Sequence, residues 1–193
     1  MCLLPFLLIV MGCEPNNVSY LYQQNPPIPV RPLNTLPGLL CNVYDLSATQ
    51  PSTMPVFTAN PSQTSLIGSP QPVYAGSPIA SYSMSGAIDF NTSQTILAGS
   101  GQTVSTWFAL DCIGKIYIDN EIAYEVELSS DDGSQLLMDN IIVVNNDGIH
   151  GTQSVTGSIV LSPGPHSVEL RYFQGPGVAS LELSSNLTMV FYQ

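Results

Sequence analysis

The sequence predicts an all-β fold, an antiparallel sandwich or barrel. After Gly86 the chain divides into short β-prone runs separated by Gly, Asn and Asp, and no stretch longer than a turn or two has helical spacing. Two of the runs also alternate apolar and polar residues with the strand period of two. In chain order, the stretch from Asp45 to Ser85 is rich in Pro, Ser, Thr and Gln with isolated Val56, Phe57, Val73 and Tyr74, which reads as short strands and long loops. Trp107–Leu110 and Lys115–Ile118 follow as separate runs. Glu121–Ser129 sets Ile122, Tyr124, Val126 and Leu128 against Glu121, Ala123, Glu125 and Glu127, one apolar face and one acidic. Gln135–Met138, Ile141–Val144 and Gly157–Leu161 come next. Ser167–Tyr172 points Val168, Leu170 and Tyr172 inward and Ser167, Glu169 and Arg171 outward, and Val178–Leu183 and Leu187–Tyr192 complete the set. Asp119-Asn120 and Asp139-Asn140 each lie between two runs and tolerate positive φ, so each predicts a two-residue hairpin. Many short strands at this spacing make a sandwich or a barrel.

A chain of 193 residues accommodates one domain with short appendages. Hydrophobic residues at 44% are enough for a packed core. Three basic residues against fourteen acidic ones give a net charge of -11, which repels a phosphate backbone and excludes nucleic acid as a partner. The same charge opposes adhesion to an anionic membrane surface but suits divalent cations.

Residues 1–12 read as a signal peptide, with an apolar core from Leu3 to Val10 far shorter than the roughly 20 residues of a membrane span. Val10-Met11-Gly12-Cys13 resembles a bacterial lipobox, although no basic stretch precedes the apolar core. The resemblance implies cleavage before Cys13, lipidation of Cys13, and a membrane-anchored lipoprotein of the cell envelope, periplasmic or at the cell surface. An ordinary secretory signal cleaved nearby is the alternative. Residues 13–37, with five prolines between Pro26 and Pro37, form an extended tether ahead of a domain spanning 38–193. With Cys2 in the signal and Cys13 lipidated, Cys41 and Cys112 remain in an oxidising compartment, to be paired as a disulfide or buried as free thiols. A bridge closing that loop stabilises by roughly 4 kcal/mol in the chain-entropy model.

The segment Gly114 to Gly133 contains Tyr124 and then Ser129-Ser130-Asp131-Asp132-Gly133, followed by Ser134, by Asp139-Asn140, by Asp147-Gly148-Ile149-His150, and by Val160-Leu161-Ser162-Pro163-Gly164-Pro165-His166-Ser167-Val168-Glu169-Leu170-Arg171-Tyr172. From about Phe108 to Leu183 this succession resembles the protective-antigen domain family, the β-sandwich module of a toxin translocation component, of flocculins and cell-wall adhesins, and of glycosidase inserts. The resemblance implies an antiparallel β-sandwich that binds carbohydrate. In sugar-binding members two adjacent aspartates joined by a cis peptide hold a calcium ion, which in turn holds sugar hydroxyls, and Asp131 and Asp132 match that pair. Neighbouring side chains on a regular strand point to opposite faces, so the backbone must bend before two adjacent carboxylates can grip one ion. Calcium also takes about 6–8 oxygens, so a second loop must contribute. That loop is Phe173-Gln174-Gly175-Pro176-Gly177-Val178, where Gln174 replaces the family's asparagine and no tryptophan follows. The implied ligand set is Asp131, Asp132, Gln174 and the Pro176 carbonyl, and the implied partner is a glycan or cell-envelope polysaccharide, bound without catalysis. A structural or protein-docking module of an envelope assembly is the rival reading.

Other constellations carry no chemistry. Glu125 and Glu127 share one strand face, whereas glycoside-cleaving carboxyls flank a substrate from opposite sides. No His/Cys/Asp set has zinc spacing and no Gly-x-Ser-x-Gly occurs. His150 and His166 read as structural, Asn145-Asn146-Asp147-Gly148 as a tight turn, and Trp107 as core.

Overall fold

Alternating side chains close two antiparallel sheets face to face in the computed structural model, which describes residues 35–57 and 75–193. The signal segment, Cys13, most of the tether, Val73 and Tyr74 lie outside the described residues. Among the described residues the strands are β1 (Leu39–Asp45), β2 (Ala80–Met84), β3 (Asp89–Phe90), β4 (Phe108–Ile118), β5 (Ile122–Asp131), β6 (Ser134–Met138), β7 (Ile141–Asn146), β8 (Gln153–Leu161), β9 (Gly164–Gln174) and β10 (Ser180–Ser185), with a short helix, α1 (Ser93–Ile96), after β3. The larger sheet has the order β2-β1-β4-β9-β6-β7 and the smaller one β3-β10-β5-β8.

The core lies between them. Val43, Leu110, Leu170 and Tyr172 from the larger sheet meet Tyr124, Val126, Leu128 and Leu181 from the smaller. Cys41 and Cys112 occupy directly paired positions of β1 and β4, fully buried, and form a disulfide with Cα atoms 3.9 Å apart. Along one side the two sheets nearly touch: a Cβ on Gly157 of β8 would stand 2.0 Å from the Val143 carbonyl oxygen of β7, so only glycine fits there.

The Asp139-Asn140 hairpin forms as the sequence predicts, with φ of 50° and 63° at its two residues and Met138 paired to Ile141. Its Asp139 also receives the Ser167 N–H at 2.9 Å and lies 2.6 Å from His166 Nδ1, while His166 Nε2 lies 2.7 Å from the Ser162 carbonyl. Burial alone would lower the His166 pKa, but these acceptors and the Asp139 charge hold it above the ordinary imidazole value. Both histidines serve structure; His150 is described with the site.

Four expectations are corrected. Asp119-Asn120 joins no hairpin: β4 belongs to the larger sheet and β5 to the smaller, so the dipeptide carries the chain from one layer to the other. Trp107–Leu110 and Lys115–Ile118 are not separate runs, because β4 pairs with β9 without a break from Phe108 to Ile118. Leu187–Tyr192 forms no strand. After β10 the Asn186 side chain accepts the Glu125 N–H at 3.0 Å and turns the chain away, and only Phe191 to Gln193 return, with Tyr192 bridging Pro37 and Lys115 and its two neighbours bonded to Gly38 and Leu36.

The fourth correction concerns Glu169 and Arg171, which are buried. They belong to the outer face of the larger sheet, where cross-strand neighbours Asn42, Asp111, Arg171, Gln135 and Asn145 line up in one polar row. Arg171 Nε donates to Glu169 Oε1 at 2.6 Å and its Nη1 to Gln135 Oε1 at 3.3 Å, and Gln135 Nε2 donates to Asn145 Oδ1 at 2.9 Å. In the next row Tyr44, Ala109 and Phe173 are covered by Leu46 and Phe57 from the segment that follows β1. A second, smaller core thus sits outside the sheet.

Asp111 is the uncompensated member of that row. It is 2% exposed, its Oδ1 has no hydrogen-bond partner among the described residues, and one arginine serves both it and Glu169. Burial, then the Glu169 charge and a hydrogen bond to Glu169, push its pKa up to about 7, with Arg171 pulling the other way. An unfolded chain ionises this carboxyl above about pH 4, while the fold retains its proton towards neutrality. The stability this group contributes is therefore greatest at low pH and is lost as pH rises from about 4 to about 7. Asp111→Asn, uncharged at every pH, should melt close to wild type at pH 4 and several degrees higher at pH 8; thermal melts at the two pH values check this.

Candidate functional site

The segment Ser130-Asp131-Asp132-Gly133-Ser134 is a passage between layers, since β5 ends in the smaller sheet and β6 begins in the larger one. Its footing is polar and buried. Ser130 Oγ and Ser134 Oγ are 2.8 Å apart, and Asn146 Nδ2 donates to Ser130 Oγ at 3.0 Å and to the Gln153 carbonyl at 2.9 Å. Asn146 therefore ends β7 as a bracing side chain, and the turn read at Asn145–Gly148 begins only at Asp147. Gly133 lies so close to Phe173 that a Cβ would stand 2.3 Å from its ring.

The peptide bond between Asp131 and Asp132 is cis. Asp132 is 2% exposed, and each of its oxygens accepts a backbone N–H from a different loop: Oδ1 from His150 at 3.0 Å and Oδ2 from Gly175 at 2.8 Å. The β7–β8 and β9–β10 loops are thereby drawn onto the crossover. Asp147 extends the arrangement, its Oδ1 accepting the Met54 N–H of the covering segment at 2.6 Å. The His150 ring is turned to main-chain oxygens, with Nδ1 2.8 Å from the Gly151 carbonyl and Nε2 3.2 Å from that of Asn146.

Asp131 is half-buried beside this grip. Burial, and then the charge of Asp132, raise its pKa, with His150 and the Thr152 N–H opposing. Beneath it, the Tyr172 hydroxyl is 2.6 Å from both the Asp131 carbonyl and Gln174 Oε1. Burial and then the charges of Asp132 and Asp131 push the Tyr172 phenol up, so it stays a donor.

The residues matched from sequence are thus gathered at one end of the sandwich: Asp131, Asp132, Gln174 and the exposed Pro176. Gln174 is fully buried with both ends of its amide engaged, Oε1 by Tyr172 and Nε2 by the Val178 carbonyl at 3.2 Å. Sequence reasoning did not assign Tyr172, Gly175, Ser130, Ser134 or Asn146 to the site. The serines flanking the aspartate pair were the available signal.

Two adjacent carboxylates supply the donor type a hard cation takes, although the loop groups that meet Asp132 are main-chain N–H donors. Burial, and after it the Asp132 charge, raise Asp131, and a divalent ion would offset that charge, so the pair fits calcium in charge and donor type. Among the described residues no three His, Cys, Asp or Glu side chains gather as a metal cluster. A cation at this pair would take its further oxygens from backbone carbonyls and water.

No family model matches the chain, and no curated protein matches it in sequence. Solved structures do match in fold. The PA14 sugar-binding domain from an RTX adhesin superposes with a TM-score of 0.59 at 19% identity, covering 81% of this chain and 94% of that one. The PA14 domain of the MpAFP antifreeze protein gives 0.56 at 13% identity over 88% and 96% of the two chains. The epithelial adhesin 6 A domain from Candida glabrata, solved with Galb1-3GlcNAc, gives 0.54 at 12% identity over 84% and 89%. The fold is the antiparallel β-sandwich of PA14 domains.

Proposed function

We propose that this chain is a carbohydrate-recognition module of adhesin type, displayed at the cell envelope by a lipid on Cys13, which grips glycan hydroxyls through calcium held at Asp131 and Asp132. One observation carries the reading: the Asp131–Asp132 pair stands where three loops converge, with one carboxylate buried as their common anchor and the other half-exposed beside it. Sugar-binding and adhesin domains among the matching folds support it.

Asp131 supplies the more accessible charge. Asp132, with two N–H bonds, retains lone pairs on both oxygens for an ion. The Pro176 carbonyl lies in the exposed loop immediately after Gly175. Gln174 serves from beneath, its Oε1 lying 2.6 Å from the Tyr172 hydroxyl, which also donates to the Asp131 carbonyl. Calcium, when bound, supplies a charge and open coordination positions for vicinal hydroxyls. The protein's part is to hold oxygens in place.

A second reading draws on the same carboxylate. Both Asp132 oxygens already hold loops, which is enough for a docking module in which the pair is purely structural. Asp131→Asn separates the two, since it removes one charge while leaving the Asp132 grip in place. Calcium titrated calorimetrically at about 0.15 M salt, where diffuse attraction to a net charge of -11 is screened, should bind saturably to wild type and at least about tenfold more weakly to Asp131→Asn. Identical isotherms would eliminate the metal site, and glycan binding that survives a chelator would show a lectin that works without calcium.

The anchor is tested separately. Cys13→Ser should move the protein from the membrane fraction to the soluble fraction, with loss of the lipid mass. A wild-type protein already soluble and unlipidated by intact mass would overturn it.

A further inference from the structure

The outer face of the larger sheet is covered over only part of its height. Leu46 and Phe57 pack over Tyr44, Ala109 and Phe173, and the polar row through Arg171 comes next. Two residues further along each strand, cross-strand pairing sets Leu40 of β1, Ile113 of β4, Glu169 of β9 and Leu137 of β6 side by side. Leu40 and Ile113 are 38% and 41% exposed, so among the described residues this second apolar stretch lacks the cover that the first one has. The four residues floor a groove of about 420 Å³, within the size range of small-ligand sites. The Glu169 carboxylate is bonded to Arg171 in the row above, and aliphatic side chains make up the rest of the floor.

The border of the groove carries charge of the sign that this chain otherwise lacks, with three Lys and Arg residues against fourteen Asp and Glu. Lys115 stands two residues beyond Ile113 on β4, and so on the same face. It is exposed, it lines the groove, and among the described residues it makes no ion pair. Asn140 of the β6–β7 hairpin lines the same border and brings amide donors. The neighbouring carboxylates already have their partners: Glu169 lies 2.6 Å from Arg171, and Asp139, beside Asn140, lies 2.6 Å from His166. An aliphatic floor with one unbalanced ammonium at its edge is complementary to an apolar chain that ends in a single negative charge. A doubly charged head group would leave one charge unmatched on a chain whose net charge is -11.

We propose that this groove binds an amphipathic monocarboxylate, its alkyl chain laid over Leu40, Ile113 and Leu137 and its head group held by Lys115 and Asn140. The groove shares no residue with the Asp131–Asp132 end of the sandwich, and the proposal stands independently of the carbohydrate reading. It gives a use to two features that the carbohydrate site leaves aside, an exposed aliphatic row on a sheet and an unpaired lysine in an acidic chain.

Decanoate is the probe and decanol its uncharged counterpart, each kept below the concentration at which it aggregates. Both are titrated calorimetrically, at about 0.15 M salt, into the full-length chain carrying Cys13→Ser, which dispenses with detergent. Decanoate should bind saturably at one site, at least about tenfold more tightly than decanol. Lys115→Gln should remove that margin while leaving decanol binding unchanged, and Ile113→Asn should weaken both ligands. Amide shifts on binding should gather at Ile113, Lys115 and Leu137. Lys115 and Ile113 are both exposed, so neither variant disturbs the buried core. Absence of saturable decanoate binding, equal decanoate affinity in Lys115→Gln, or shifts centred elsewhere would overturn the proposal. So would a wild-type dimer abolished by Ile113→Asn, which would assign the face to a second copy of the chain.

Discussion

One buried carboxylate organises the functional end of this sandwich. Asp132 has almost no access to water, and a buried ionised carboxylate is costly unless it is bonded. Here it is bonded twice, to main-chain N–H groups of two loops that are distant in sequence from it and from each other. Charge-assisted bonds of this kind are stronger than neutral ones, and they fix the backbone itself. The positions of His150, Gly175 and, through Gly175, Trp107 and Pro176 all depend on that grip.

The sandwich places the carboxylate by its connectivity. β5 and β6 belong to different layers, so the two-residue link between them must cross the core's end, and the aspartates arrive at the mouth between sheets. Tyr172 rises from the adjacent β9 to hold the crossover main chain, and the Ser130, Ser134 and Asn146 cluster holds it from the other side. The disulfide between β1 and β4 lies in the main core and stabilises the scaffold.

Strands with one wet face were readable from sequence, because β5 alternates core residues with exposed or half-exposed ones along its length. The outer face of β9 was not, since Glu169 and Arg171 look solvent-bound until their cross-strand neighbours and the covering segment are known. Asp119-Asn120 and Asp139-Asn140 make the same point at dipeptide level. Identical residues form a hairpin at one place and a crossover at the other, because the choice lies with which strands pair and not with the turn. In the site, the aspartate pair was visible as a motif. The inward turn of the Gln174 amide was not, for it depends on Tyr172 lying within reach. Nor was the place of Trp107, which packs half-buried against the outer core and not within the main one.

The Asp132 grip is tested most directly by amide hydrogen exchange at His150 and Gly175. Both amides lie in loops, where exchange is ordinarily fast. If the carboxylate holds them, they exchange slowly in wild type, and in a folded Asp132→Ala variant both speed up while amides in β4 and β9 keep their protection. Fast exchange of both amides in wild type, or protection that survives Asp132→Ala, would contradict a carboxylate that holds the two loops.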